Sequence, residues 1–270
     1  MSVRQILGLF VAVVAVLGGL PVPASAQQAA PKPFEPQVGQ AGKDVVWVPT
    51  PQALVDKMLE MAKVTKNDFV MDLGSGDGRT VISAAKLGAR AVGIEYNPDM
   101  VALSRKNAQD AGVTARATFE NSDLFKTDLS KADVITMFLL PSINMKLRPT
   151  ILNLRPGTRI VANTFTMDDW EADETQRVEG DCSAWCTALL WIVPAKVEGT
   201  WKMGNQQLVL KQRFQMLTGS LGGADVSSGR LRGNEISFTV GNAVYTGRVD
   251  GNAMKGSVKG GSGGTFTATR

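Results

Sequence analysis

The sequence predicts an α/β fold built on a mostly parallel sheet, followed by a small antiparallel β domain. Three observations carry this. Between Asp68 and Pro194 short apolar runs alternate with longer amphipathic stretches, the pattern of helices covering both faces of a parallel sheet. A glycine-rich turn, Asp72-Leu73-Gly74-Ser75-Gly76-Asp77-Gly78, joins the first run to the first helix after it. Beyond residue 196 the composition changes, and 15 of the 28 glycines fall in 196–270.

Phe69-Val70-Met71 reads as a buried strand, and Thr80 to Leu87 as a helix buried through Val81, Ile82, Ala84 and Ala85. Ala91 to Ile94 is a second strand. Pro98 opens a helix whose Met100, Val101, Leu103 and Ala108 keep helical spacing up to Gly112, a cap. Ala115 to Phe119 and Val134 to Phe138 are the third and fourth strands. Leu147 to Leu154 is a helix interrupted by Pro149, and Arg159 to Ala162 is a fifth strand. Gln176 to Gly180 and Ala188 to Val193 form a closing pair. Such sheets bind ligands beyond the carboxyl ends of their strands, at the point where the strand order reverses.

In 196–270 the form G-x-[L/V]-x-G recurs at Gly219, Gly229, Gly247 and Gly256, and Gly-Asn occurs at 204–205, 233–234, 241–242 and 251–252. Gly-Asn suits tight hairpins, and Ile236, Phe238 and Val240 alternate with polar residues. The expectation is an antiparallel meander or partial barrel. It serves as a structural appendage, or as a binding module that exposes Trp201, Phe214 and Tyr245.

With 44% apolar and 20% charged residues, the 270-residue chain has the composition of a globular protein with a core. It has no histidine and two cysteines. Ser-His-Asp and Cys-His catalysis, His-ligated metals and four-cysteine zinc are therefore excluded, and no metal is expected. The net charge of +4 comes without any block of Lys or Arg, so no nucleic-acid partner is expected.

Arg4 precedes a 15-residue apolar run from Ile6 to Leu20, then Pro21, Pro23 and Ala24-Ser25-Ala26. This is the pattern of a secretory signal peptide over 1–26, cleaved after Ala26. The expected location is periplasmic or secreted. The alternative is an uncleaved inner-membrane anchor, which would keep the domain near the membrane. Residues 27–44, with Pro31, Pro33 and Pro36, read as a flexible lead-in. Export permits a disulfide. Cys182 and Cys186 form one if a tight turn brings them together; otherwise they are small core residues.

The chemistry sits in the glycine turn. Glycines at a strand-to-helix junction let the backbone bend and let a ligand approach it, and the helix N-terminus offers free N–H groups. Glu95 ends the second strand, 19 residues after Gly76, where a carboxylate accepts from a ribose diol. These features mark an adenosine-containing cofactor. Arg79 breaks the G-x-G-x-x-G/A nicotinamide fingerprint. Asp72 and Asp77 repel a pyrophosphate but favour a ligand carrying an ammonium and a sulfonium, which points to S-adenosyl-L-methionine.

Asp72 to Arg79, Glu95 and Asn121-Ser122-Asp123 resemble the class I S-adenosylmethionine-dependent methyltransferases over residues 45–195. Val48-Pro49-Thr50-Pro51 and Phe138-Leu139-Leu140-Pro141 resemble the small lysine methyltransferases related to the ATP synthase c-subunit enzyme. The resemblance implies a Rossmann-like seven-stranded sheet with its last strand antiparallel, with the Gly-rich β domain of 196–270 appended. It also implies methyl transfer to an amine, foremost a protein lysine and next a small-molecule acceptor. By position, Asp72 lies near the methionine ammonium, and Gly74, Ser75, Gly76, Asp77 and Gly78 form the turn beneath it. Thr50 and Pro51 line the methionine end. Glu95 holds the ribose, Asp123 accepts from the adenine amine or instead caps a helix, and Leu124 packs on the ring. Phe138, Leu139, Leu140 and Pro141 face the acceptor and orient it through their carbonyls. Asp168 or Asp169 helps remove a proton, or lies on a surface loop; Trp47 and Trp170 wall the pocket, or pack in the core. No residue is singled out as catalytic. Export separates the chain from cytosolic cofactor, which leaves a non-catalytic nucleoside- or partner-binding protein of the same fold as the alternative.

Overall fold

The computed structural model describes residues 34–180 and 182–270. The signal peptide expected over 1–26, and the expected lead-in up to residue 33, lie outside the described residues. Phe34–Arg270 pack as one compact unit.

Strands β1 (Phe69–Leu73), β2 (Arg90–Glu95), β3 (Ala117–Asn121), β4 (Val134–Met137), β5 (Arg159–Asn163), β6 (Glu174–Arg177) and β7 (Thr187–Ile192) make a seven-stranded sheet in the order β3-β2-β1-β4-β5-β7-β6. Helices α1 (Gln52–Met61), α2 (Arg79–Lys86), α3 (Pro98–Asp110) and α4 (Pro141–Ile151) cover it. The first five strands pair in parallel, while β7 runs antiparallel to both β5 and β6. The strand order reverses between β1 and β4, which places a crevice at their carboxyl ends.

Alternate residues of the central strands serve opposite faces. Val70, Val134, Val161 and Leu190 bury one face against Leu54, Leu59, Val81 and Val101 of the first three helices. Met71, Ile135, Ile160 and Trp191 bury the other against Ile143, Leu147 and Ile151 of α4. Several element boundaries differ from expectation: β6 spans Glu174–Arg177 rather than 176–180, and β3 and α4 are shifted as well. β3 starts at Ala117 because the Arg116 and Ala117 amides turn back onto the Val113 carbonyl. α4 begins at Pro141, and Pro149 sits inside it.

The C-terminal domain is a closed barrel, not a partial one. Strands β8 (Gly199–Met203), β9 (Gln206–Arg213), β10 (Met216–Leu221), β11 (Ala224–Arg232), β12 (Glu235–Val240), β13 (Ala243–Asp250), β14 (Ala253–Lys259) and β15 (Gly264–Thr269) follow one another, and β15 pairs back onto β8. Closure removes the exposed edges that an open meander would carry. Each Gly-Asn pair forms a two-residue hairpin loop. Its glycine has φ between 55° and 61°, while the asparagine stays at negative φ. This is the type II′ pattern, which matches strand twist.

The barrel aromatics pack against protein rather than stand in solvent, Phe214 doing so at the face toward the sheet. Trp201 is fully buried, Tyr245 stacks on Phe238 at 4.7 Å, and Phe214 stacks on Trp170 at 5.8 Å. Barrel and sheet meet in a polar seam. Trp170 donates from Nε1 to Gln215 Oε1 at 2.9 Å, and Arg230 pairs with the fully buried carboxylate of Asp173 at 2.7 Å. Cys182 and Cys186 are joined by a disulfide across the β6–β7 connection, with Cα atoms 5.7 Å apart. Among the described residues no helix is long and apolar enough to cross a membrane.

Candidate functional site

A cavity of about 480 Å³ opens at the carboxyl ends of β1, β2 and β4, within the size range of small-molecule and cofactor sites. Asp72 forms its floor. It occupies the fourth position of β1, level with Gly93 and Thr136 on the neighbouring strands. Thr136 donates to its Oδ1 at 2.6 Å. Burial pushes the Asp72 carboxyl up to about 7, the Thr136 bond works against this, and the negative charges of Glu95 and Asp77 add to it. A buried carboxylate without a cation partner is costly, so the site favours a cationic ligand.

The turn after β1 is held from both sides. The Gly74 and Ser75 amides donate to the Ile94 carbonyl at 2.9 and 3.1 Å. Ser104 of α3 donates to the Gly76 carbonyl at 2.7 Å, and Asn107 donates to the Asp77 carbonyl at 2.9 Å. Gly76 has φ 53°, and a Cβ there would lie 2.6 Å from Nε1 of Trp47. Only glycine fits that conformation without strain. Asp77 differs from expectation: Arg79 grips both its oxygens, with Nη2 at 2.6 Å from Oδ2, and also reaches the Thr50 carbonyl at 2.9 Å. The uncompensated acids of the cavity floor are therefore Asp72 and Glu95.

Glu95 ends β2 with its Oε2 accepting from the Gly76 amide at 3.0 Å and its Oε1 from the Asn97 amide at 2.9 Å. Each oxygen keeps further acceptor capacity, since a carboxylate offers about four acceptor sites, and Glu95 lines the cavity. Asp123 caps a 3₁₀ turn, Leu124–Lys126, through the Phe125 amide at 3.0 Å. It also pairs with Lys43 at 2.8 Å. The Lys43 ammonium and the Phe125 amide together hold the Asp123 carboxyl below the usual range.

Lys43 belongs to a strap, where the composition predicts a flexible lead-in. Residues 37–47 fold back on themselves: Gly39 donates to the Trp47 carbonyl, Trp47 donates to the Gln40 carbonyl, and Ala41 bridges Val46. This strap lines the cavity from Gln40 to Trp47, and the Lys43 ammonium lies 4.8 Å from the Tyr96 ring centroid.

Most expected site residues line the cavity: Thr50, Asp72, Gly74, Ser75, Gly76, Asp77, Glu95, Asp123, Leu124, Phe138, Leu139 and Leu140. Three do not. Pro51 caps α1, Gly78 caps α2 and Pro141 opens α4, so their work is to aim the elements. The Leu140 carbonyl is taken up by the Ile143 and Asn144 amides. Asp168 and Asp169 stand outside the cavity. Asp169 is held below the usual carboxylate range by Arg213 and then Arg148. Trp170 is fully buried in the seam, whereas Trp47 does wall the pocket. Sequence reasoning missed Lys43, Arg79, Ser104, Asn107, Phe165 and Trp185. Each acts through a contact distant in sequence, and Arg79 also through Asp77 two residues away.

The backbone cradle at Gly74–Gly76, the two acids and the cavity volume suit an adenosine ligand bearing positive charge. Together with the strand order, these features define a class I S-adenosylmethionine-dependent methyltransferase.

Comparison with known proteins agrees. Residues 72–174 match the ANTKMT methyltransferase domain, and the chain belongs to that family of S-adenosylmethionine-dependent enzymes. It is 44% identical over 138 residues to a protein-lysine N-methyltransferase of Saccharolobus islandicus, covering 50% of this chain and 86% of that one. It is 37% identical over 140 residues to the mouse ATP synthase c-subunit lysine N-methyltransferase, covering 52% of this chain but 56% of the mouse enzyme. A crystal structure described as an RNA methyltransferase from Salinibacter ruber, in complex with S-adenosyl-L-homocysteine, is 48% identical with a TM-score of 0.52. The match covers 56% of this chain and 96% of that one.

Proposed function

We propose that this protein methylates a lysine amine of a protein acceptor. The observation that carries the reading is the 44% identity to the archaeal protein-lysine N-methyltransferase across 86% of that enzyme. The cavity supports it. Its cationic side chains are Lys43 and Arg79, and both are committed to Asp123 and Asp77. Neither is left to hold the phosphates of a nucleic acid, so no nucleic-acid acceptor is proposed.

S-adenosylmethionine, when bound, supplies a methyl group on a sulfonium whose departure needs no acid. The chain's work is then to hold, align and exclude water. Asp72 holds the methionine ammonium, with Thr50 nearby. Glu95 accepts from the ribose hydroxyls. Asp123 accepts from the adenine amine through the lone pairs that Lys43 and Phe125 leave open, and Leu124 packs on the ring. With the Leu140 carbonyl engaged in α4, the Phe138 and Leu139 carbonyls are assigned to orient the incoming amine. The 37–47 strap closes the cavity against water.

The location proposed is outside the cytosol. The apolar segment before Ala24-Ser25-Ala26 supports it, and so does the Cys182–Cys186 disulfide.

The test is to incubate the full-length protein with methyl-labelled cofactor and a proteome from its own source, and to map labelled residues by mass spectrometry. Label on lysine is the expected result. Label confined to RNA, or no transfer at all, would refute the lysine reading.

A further inference from the structure

Three aromatic rings gather at the mouth of the cofactor cavity. Phe138 and Phe165 stack with centroids 5.7 Å apart and planes at 19°, and Trp185 leans on Phe138 at 6.0 Å and 59°. All three line the cavity. Phe165 is fixed from behind: the buried Asn144 amide donates to the Phe165 and Thr166 carbonyls at 3.2 Å each. Trp185 stays 44% exposed, a large apolar ring left in water. Its backbone sits at φ 52°, a conformation that a bulky residue rarely adopts.

The disulfide explains how that conformation persists. It closes a loop of five residues, Cys182 to Cys186, with Trp185 at its tip. Cys186 is buried and accepts at its carbonyl from the Val178 amide at 2.8 Å. The bridge thus ties Trp185 to the β6–β7 connection and holds it against Phe138.

We propose that Phe138, Phe165 and the disulfide-tethered Trp185 form the acceptor subsite and bind the cationic side chain of a lysine and its methylated products. This rests on the lysine reading given above. Aromatic faces attract ammonium groups and gain most where water is thinned. The Phe138–Phe165 pair is already closed, so it offers no slot for a flat base between its rings. No uncommitted cation of the cavity stands by to hold a phosphate. The apolar stem of a lysine fits along the rings, and its amine then points past Phe138 toward the cofactor end.

The full-length protein, saturated with S-adenosylhomocysteine, is titrated with Nα-acetyl-Nε-trimethyl-lysine amide in a calorimeter. The neutral Nα-acetyl-norleucine amide and adenosine serve as comparison probes. The trimethyl-lysine probe is expected to bind, with W185A weakening its affinity about five- to thirty-fold. W185F should restore most of the affinity, and C182S/C186S should fall between W185A and wild type. Affinity for S-adenosylhomocysteine should stay level throughout, because Trp185 is exposed and its replacement leaves the core intact. Equal binding of the norleucine amide or adenosine, or no loss in W185A, overturns the subsite. Lysine methylation with kcat/KM unchanged in W185A keeps the lysine reading and overturns this inference. Trp185-dependent cation binding without lysine methylation does the reverse.

Discussion

At the scale of the residue, Asp72 ties stability and function together with opposite signs. Its carboxyl titrates near 7 in the fold against an ordinary 3.8. The folded protein therefore holds a proton there that the unfolded chain releases. The stabilising contribution is full below pH ~3.8 and is lost as pH rises through ~7. An Asp72→Asn variant should accordingly be more stable than wild type at pH 8, by an amount on the order of a few kcal/mol, as read by urea unfolding. A less stable variant would contradict this. Cofactor affinity should move the other way. Only the ionised carboxylate matches an ammonium, so wild-type affinity should rise from pH 6 to pH 8, and this dependence should flatten in Asp72→Asn. Gly76 gives a second test. A Cβ there meets Trp47 at 2.6 Å and the backbone is at φ 53°, so Gly76→Ala should push the strap outward. Cofactor affinity should drop about tenfold while the far-ultraviolet circular dichroism stays native, since an αL alanine costs only about 1–2 kcal/mol.

At the scale of the element, the seam between sheet and barrel carries the next prediction. Arg230 neutralises the buried Asp173, whose other oxygen accepts from the Ile192 amide at 2.8 Å. Arg230→Ala strands that charge and should destabilise the protein by about 2 kcal/mol, discounted because Arg230 is itself partly exposed. Thermal unfolding would check it, and an unchanged Tm would mean that water already serves Asp173. The strands and helices around the cofactor turn were legible because each is punctuated locally. Pro98 and Asn97 start α3, and Gly74 and Gly76 occupy positions that demand glycine. Glu95 was legible because a strand end fixes its direction. The strap was not, since Lys43 finds Asp123 80 residues away and its neighbours read as turn-formers. Trp170 stayed open between pocket and core, and Trp201 and Phe214 between a structural barrel and an exposed binding face, for a related reason. Sequence spacing does not reveal which ring a large side chain will pack against, and here Trp201 is buried in the barrel while Phe214 stacks on Trp170 at the seam. The cysteine pair stayed open because a four-residue spacing suits either a bridge across a turn or two positions on one strand.

At the scale of the whole molecule, a seven-stranded sheet with one antiparallel strand builds an acidic, nearly side-chain-free cradle, and the barrel buttresses the β6–β7 side of that sheet. The strap and the tethered Trp185 both line the crevice. The cradle is shaped for a positively charged nucleoside. Calorimetric titration of S-adenosylmethionine into the full-length protein and into an Asp72→Ala variant addresses this most directly. Wild type should bind, and the variant should bind about ten- to a hundredfold more weakly. Equal affinity in the two proteins, or a wild type that ignores S-adenosylmethionine and takes a dinucleotide instead, would contradict the account.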